Sequence, residues 1–463
     1  MRHIKCPKRP TARGLGMSAE KKTNAQVSAA DHKFVFHSWS AQGAISPIPV
    51  AKSSGSRFWD HDGKEFLDFS SQLVFTNIGH QHPKVVAAIQ EQAGTLTALA
   101  PQHASDVRNE AAERIVGVAG SKFAKVFFTN GGADAIENAI RMSRIHTRKH
   151  KVLSTYRSYH GNTGSAINAT GDPRRFPNEF AFGHVHFWGP YLYRTPFWAT
   201  TEAEECARAL EHLEQTIIFE GPNTIAAILL ETVPGTAGVL IPPAGYLEGI
   251  RALCDKYKIM WIADEVMAGF GRTGKWFAFQ STIVVPDLIA FAKGVTSGYV
   301  PLGGVVISSE ISKTFDETVF PGGLTYMGHP LAAAAAVATI DVMKEEKMLE
   351  NATSIGAKIL APGLAELAKK HKVIGDIRGA GVFWGIDLVT DRKTHAPLAP
   401  YGGSSPAMNE LVAACKANGM MPFTNFNRIH LCPPCNISEA DAKLGLEILD
   451  KSLGEIAKYY TGE

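Results

Sequence analysis

The chain has 463 residues, 45% of them hydrophobic and 20% charged, and a formal net charge of +3. This length exceeds the roughly 250–300 residues at which one hydrophobic core stops growing, so a large domain with at least one smaller unit is expected. The near-neutral balance gives no support for a nucleic-acid partner, and no apolar run approaches the ~18–20 residues of a membrane span.

The first stretch, "MRHIKCPKRPTARGLG", is basic and broken by prolines, without the apolar core of a secretory signal. Residues 1–16 read as a disordered extension ahead of Met17. "RFWDHDGKEFLDFS" (57–70) predicts a hairpin turning at Asp62-Gly63. "HPKVVAAIQEQAGTLTAL" (82–99) has helical spacing and a proline near its first turn. From there short apolar strands alternate with helices. The strands are "AKVFFTN", "HKVLSTY", "IAAILLETV", "IMWIADEV" and "DLIAFAK"; the helices include "ADAIENAIRMSRIHT" and "GYLEGIRALCDKYK". That alternation predicts a mostly parallel sheet covered on both faces.

After the helix "PLAAAAAVATIDVMKEE" (330–346) the pattern changes to "GAGVFWGIDLV", "PAMNELVAACKANG", "RIHLCPPC" and a last helix with a capping-box-like start at Ser438 and Asp441. The expected organisation is an N-terminal segment, 17–80, packing with a smaller α+β domain, 346–463, around a large domain, 81–345. Of six cysteines only Cys432 and Cys435 are close, as "CPPC". A zinc site needs a second ligand pair, and none follows. Buried free thiols, no metal and a reducing cytoplasmic compartment are expected.

Ligands of open α/β sheets bind outside the carboxyl ends of the strands. Past the predicted strands stand Asn130-Gly131-Gly132-Ala133 opening a helix, Tyr159-His160-Gly161, Glu231, Asp264-Glu265 and Lys293. Each has an ordinary reading when taken alone: a tight turn, an ion pair, a lysine reaching out to solvent. Together they supply an anion site at a helix N-terminus, a stacking aromatic, a buried acid and a desolvated amine suited to Schiff-base or general-base work. Pyridoxal phosphate requires those four things. Gly294 is expected to relieve crowding beside Lys293.

The segments "FFTNGGADAIENAIRMSR", "YRSYHGNTG", "LLETVPGTAGVLIPP", "WIADEVMAGFGRTGKWFAF", "PDLIAFAKGVTSGYVPLGGVV" and "GLTYMGHPLAAAAA" resemble those of the class III (ω-amino acid) aminotransferases of the fold-type I pyridoxal-phosphate enzymes. One departure is Gly131-Gly132-Ala133, where the family often has Ser-Gly-Ser. The resemblance implies an α/β fold-type I architecture in a homodimer, or a tetramer built from it. It implies Lys293 as the lysine that holds the cofactor and shuttles the proton, with Asp264 at the pyridine nitrogen. Tyr159 and Val266 would lie on the two ring faces, Gly132 and Ala133 at the phosphate, and His160 and Glu231 around the ring. Thr325 would reach the phosphate of the neighbouring subunit.

The wording of the N-terminal and C-terminal segments resembles taurine–pyruvate-type ω-aminotransferases. This implies an amine donor such as taurine or β-alanine and a 2-oxo acid acceptor, pyruvate. The family often places an arginine where Pro422 and Phe423 stand here, and Arg428, a few residues on, is the candidate carboxylate or sulfonate anchor. Leu73 and Val74 are candidates for lining the amine pocket. The rivals are an aminomutase or decarboxylase on the same scaffold, and a non-catalytic binding or regulatory protein.

Overall fold

A computed structural model describes residues 22–463 of the chain; the expected extension at 1–16 lies outside the described residues. Two compact units emerge, residues 22–53 with 58–65, and residues 54–57 with 66–463. In the first, the helix Asn24–Phe34 starts at a capping box between Thr23 and Gln26. The predicted turn at Asp62-Gly63 is present. The Asp60 carboxylate accepts the Asp62 and Lys64 N–H groups at 3.0 and 2.8 Å, and Gly63 adopts φ 94°.

The second unit is built on a seven-stranded sheet. In chain order its strands are β1 (Phe123–Thr129), β2 (Lys151–Thr155), β3 (His184–Phe187), β4 (Ile225–Glu231), β5 (Met260–Asp264), β6 (Leu288–Phe291) and β7 (Gly303–Ser308). Their order across the sheet is β1-β7-β6-β5-β4-β2-β3. Only β7 is antiparallel to its neighbours, so the expected mostly parallel sheet is found. Successive side chains point to opposite faces, and β4 shows the consequence. Ala227 and Leu229 pack with Ala135, Ile136 and Ile140 of the helix α1 (Gly132–Thr147). Ile228 and Leu230 pack on the other face with Leu213 of α2 (Glu202–Glu220) and Ile250 of α3 (Tyr246–Tyr257). Burying each Leu or Ile contributes about 1.5–3 kcal/mol, which is why β4, β5 and β6 are apolar up to their carboxyl-terminal residues.

Some elements differ from the pattern. The helix expected over 82–99 spans Pro83–Ala93 and stops at Gly94. "GAGVFWGIDLV" is not one strand: β8 (Ile374–Ala380) turns at Gly381, φ 57°, into β9 (Phe383–Asp391). Left-handed backbone at Gly381 permits the reversal. With β10 (Phe423–Asn425) and β11 (Arg428–Leu431) they form a second sheet, ordered β8-β9-β11-β10, with Ala396–Pro397 paired to β9. The last helix, Glu439–Glu455, starts where expected, with Ser438 Oγ accepting the Asp441 N–H at 3.1 Å. The five described cysteines are buried free thiols.

Candidate active site

The carboxyl ends of β4, β5 and β6 are in register: Glu231 lies opposite Asp264, and Asp264 opposite Ala290. Lys293 follows β6 by two residues and starts a short 3-10 turn, Lys293–Val295. Its φ of 47° is left-handed, a conformation that costs a lysine energy and marks functional sites. The adjoining glycine is needed for space. A Cβ on Gly294 would strike the Asn77 amide and sit 2.8 Å from Phe270 Cβ, as the sequence suggested.

Burial holds the Lys293 amine below the usual lysine range, while the carboxylates of Asp264 and Glu231 oppose that shift. Asp264 Oδ2 is 2.7 Å from His160 Nδ1, and Asp264 Oδ1 accepts the Val266 N–H at 3.0 Å. The other ring nitrogen of His160 is buried without a partner among the described residues. Glu231 accepts the N–H groups of Tyr159 at 3.0 Å and Gly235 at 2.7 Å. Burial and the neighbouring Asp264 raise its carboxyl, against His160 and those two donors. The Tyr159 ring carries the Arg174 guanidinium 3.5 Å from its centroid, and Arg174 is paired with Asp172.

The anion end lies at the start of α1. Gly131 offers no side-chain cap, so the first N–H groups of the helix are available to a ligand. A methyl on Gly132 would lie 2.9 Å from Val266 Cγ1, and one on Gly161, φ 130°, would lie 2.5 Å from Ala133 Cβ. Gly132, Ala133, Tyr159, His160, Glu231, Asp264, Val266 and Lys293 therefore converge. Their donor set fits pyridoxal phosphate: uncapped N–H groups for the phosphate, a hydrogen-bonded acid for a ring nitrogen, and an amine of lowered basicity for an aldehyde.

Other predicted residues lie elsewhere or play a packing part. Thr325 is exposed between Leu324 and Gly328. Val74 is buried against Val233, Met267, Cys432 and Phe423, whereas Leu73 is 39% exposed. Their turn has left-handed φ at Ser71, Gln72 and Val74. It is pinned by the buried Asp68, which accepts Ser70 Oγ at 2.7 Å and Gln72 Nε2 at 3.0 Å and lies 2.9 Å from His80 Nε2. Arg428, on β11 opposite Asp387, is 5% exposed and donates to the carbonyls of Ala237 and Asn425. Burial lowers its guanidinium to about 10.

Sequence reasoning missed Arg157, Arg174 and Asp68. For Arg157 there was a signal, since it stands two residues before Tyr159 at the same strand end. Among the described residues no cluster of His, Cys, Asp and Glu is arranged to hold a metal, and no helix is long and apolar enough to cross a membrane.

Residues 39–453 match the family described as Aminotransferase class-III. A taurine–pyruvate aminotransferase of Bilophila wadsworthia is 33% identical, over 94% of this chain and 98% of that one. A 5-aminovalerate aminotransferase of Pseudomonas aeruginosa is 35% identical, over 90% and 95%. Among solved structures, a taurine:2-oxoglutarate aminotransferase of Bifidobacterium kashiwanohense, in complex with pyridoxal phosphate and glutamate, is 43% identical. It superposes with a TM-score of 0.92, covering 95% of this chain and 100% of that one.

Proposed function

The chain belongs to the class III aminotransferases, which use pyridoxal phosphate, and on that premise we propose that it moves the amino group of an ω-amino acid or primary amine, such as taurine or β-alanine, to a 2-oxo acid. The observation that carries this reading is the meeting of Lys293, Asp264 and Glu231 at the ends of three adjacent strands. When bound, the cofactor supplies the electron sink for the bond broken at the amine carbon.

The chain's own residues do the rest. Lys293, its amine made less basic by burial, would take the proton from the substrate carbon bearing the amino group and would deliver it to the cofactor carbon on the other side of that nitrogen. Asp264, fixed by His160 and the Val266 N–H, keeps a proton on the ring nitrogen. Glu231 holds the Tyr159 backbone so that its ring covers one face, and Val266 covers the other. Gly132 and Ala133 donate N–H groups to the phosphate. Thr325, exposed on its own chain, completes the phosphate site of a second copy, so the working form is a homodimer. Arg428 takes the substrate's carboxylate or sulfonate, and Leu73 borders the amine.

The acceptor has two readings. Pyruvate follows from the likeness to the taurine–pyruvate enzyme. A 2-oxo dicarboxylic acid is favoured by the more similar taurine:2-oxoglutarate enzyme. An aminomutase would need no stoichiometric oxo acid. The test is an absorbance scan of the protein loaded with pyridoxal phosphate, before and after taurine or β-alanine alone. Loss of the visible band and growth of a near-ultraviolet band, reversed by pyruvate or 2-oxoglutarate, is the expected result. A visible band indifferent to every ω-amine offered would refute the proposed activity.

A further inference from the structure

The turn that carries Lys293 does not hold its own shape. Lys293 and Ser297 both have left-handed backbone, φ 47° and 52°. The turn's internal hydrogen bonds are long, 3.4 Å from the Thr296 N–H to the Lys293 carbonyl and 3.2 Å from the Val295 N–H to the Ala292 carbonyl. Such strain persists only where the surroundings impose it.

Residues 75–82 impose it. The Asn77 amide is pressed against Gly294, where an added Cβ would lie 2.9 Å from Asn77 Cγ. One residue on, the Ile78 N–H donates to Ser297 Oγ at 3.1 Å. The Tyr299 hydroxyl donates to the Gly79 carbonyl at 3.1 Å and accepts the His82 N–H.

Asn77 is itself fixed by a buried cation. Arg272 is fully buried, and among the described residues it pairs with no carboxylate. Its charge is held by oxygens: Nη1 donates to the Cys432 carbonyl at 3.1 Å and to the Pro433 carbonyl, and Nη2 donates to Asn77 Oδ1 at 2.6 Å. A buried cation is costly unless its hydrogen bonds are made. The Asn77 oxygen must therefore face Arg272, since the flipped amide would set donor against donor. Nδ2 is thereby turned to the Phe270 carbonyl at 2.6 Å and the Gly269 carbonyl at 3.3 Å. The Gly269 N–H returns to the Glu265 carbonyl at 2.9 Å, next to Asp264, and the Asn77 carbonyl accepts the Cys435 N–H at 2.7 Å. One residue thus joins the end of β5, the lysine turn and the stretch after β11.

We propose that Asn77, oriented by the buried Arg272, is a positioning residue for Lys293: it holds the turn in its left-handed shape and sets where the amine stands relative to the acid ending β5. This rests on the aminotransferase reading above, in which the Lys293 amine moves a proton. Proton transfer needs the amine within hydrogen-bond reach, and a misplacement of about 1 Å costs about 100-fold in rate.

The test compares the loaded wild-type enzyme with its Asn77→Ala and Asn77→Asp variants. Asn77→Ala is expected to lower kcat about 10- to 100-fold and to leave the KM for the amine unchanged. When pyridoxal phosphate is mixed with apoprotein of this variant, the visible band is expected to appear about tenfold or more slowly, a readout independent of turnover. A merely structural role would lower the melting temperature and leave both rates intact. Asn77→Asp keeps the acceptor for Arg272 and is expected to turn over at least about fivefold faster than Asn77→Ala.

Wild-type kcat or wild-type band formation in Asn77→Ala overturns the proposal, and an Asp variant no faster than the Ala variant overturns the part given to Arg272. If Asn77→Ala does not fold, Gly294→Ala tests the same contact from the side of the turn. A loss of kcat of about tenfold or more, with the band still formed, supports the contact; wild-type kcat overturns it. Failure of the aminotransferase reading is a separate result, namely a wild-type visible band that no ω-amine alters.

Discussion

His430 makes stability depend on acid in a way that can be isolated. It lies on β11, fully buried, with Nε2 3.1 Å from the Gly235 carbonyl oxygen and Nδ1 without a partner among the described residues. The Phe423 ring centroid is 4.8 Å away. Burial, with the nearby Arg428 and Arg378 cations, pushes the imidazole down to about 3 from an ordinary 6.5. Below pH 6.5 the unfolded chain binds a proton at this residue that the folded chain does not take up. Stability present above pH 6.5 is therefore lost progressively as pH falls toward 3. At pH 5 the loss from this residue is about 2 kcal/mol, at 1.36 kcal/mol per pH unit.

His430→Gln keeps a donor for the Gly235 carbonyl and removes the titration. Urea unfolding at pH 7.5 and pH 5.0, analysed by linear extrapolation, is expected to show a pH-dependent loss about 2 kcal/mol smaller in the variant than in the wild type. Equal losses in the two proteins would refute the reasoning. The site feels the same contact, because the Gly235 N–H is one of the two backbone donors to Glu231. The peptide at Gly235 thus ties the buried imidazole to the acid beside Tyr159.

Lys293→Ala is expected to abolish turnover and the cofactor's visible band while leaving the far-ultraviolet circular dichroism of the wild type; retained activity would exclude Lys293 from the chemistry. Gly161→Ala forces left-handed backbone on an alanine, about 1–2 kcal/mol, and sets its methyl 2.5 Å from Ala133 Cβ. Cofactor affinity, followed by titrating pyridoxal phosphate into apoprotein, is expected to drop by about tenfold or more. Arg428→Leu is expected to raise KM about 10- to 100-fold for amines carrying a carboxylate or sulfonate, with a smaller effect on a neutral primary amine. The same rise for both kinds of amine would make Arg428 a structural residue.

Much of the site was legible in the sequence. Lys293, Asp264 and Glu231 each end an apolar run, and in a parallel sheet all such runs finish at one edge, so reading strand ends gathers residues 33 and 62 positions apart. Gly294 was legible as relief of crowding beside Lys293, whereas the close approach of Gly161 to Ala133 joins segments 28 residues apart and had no local signal. The predicted single strand at "GAGVFWGIDLV" failed because Gly379 and Ala380 end one strand and Phe383 begins the next, with the left-handed Gly381 turning the chain between them.

The sequence by itself determined which residues end the strands, because burial on both faces demands apolar strands and leaves polar chemistry to their tips. Tertiary structure alone decided which charges are neutralised. Arg194, Arg378, Arg157 and Arg428 look alike in the chain, yet the first two meet carboxylates and, among the described residues, the last two form no ion pair. That outcome depends on β9 carrying Asp387 to a place where Tyr191, Arg194 and Asn427 already wait for it. Ion pairing of this kind joins segments almost 200 residues apart in the chain, and no local spacing encodes it.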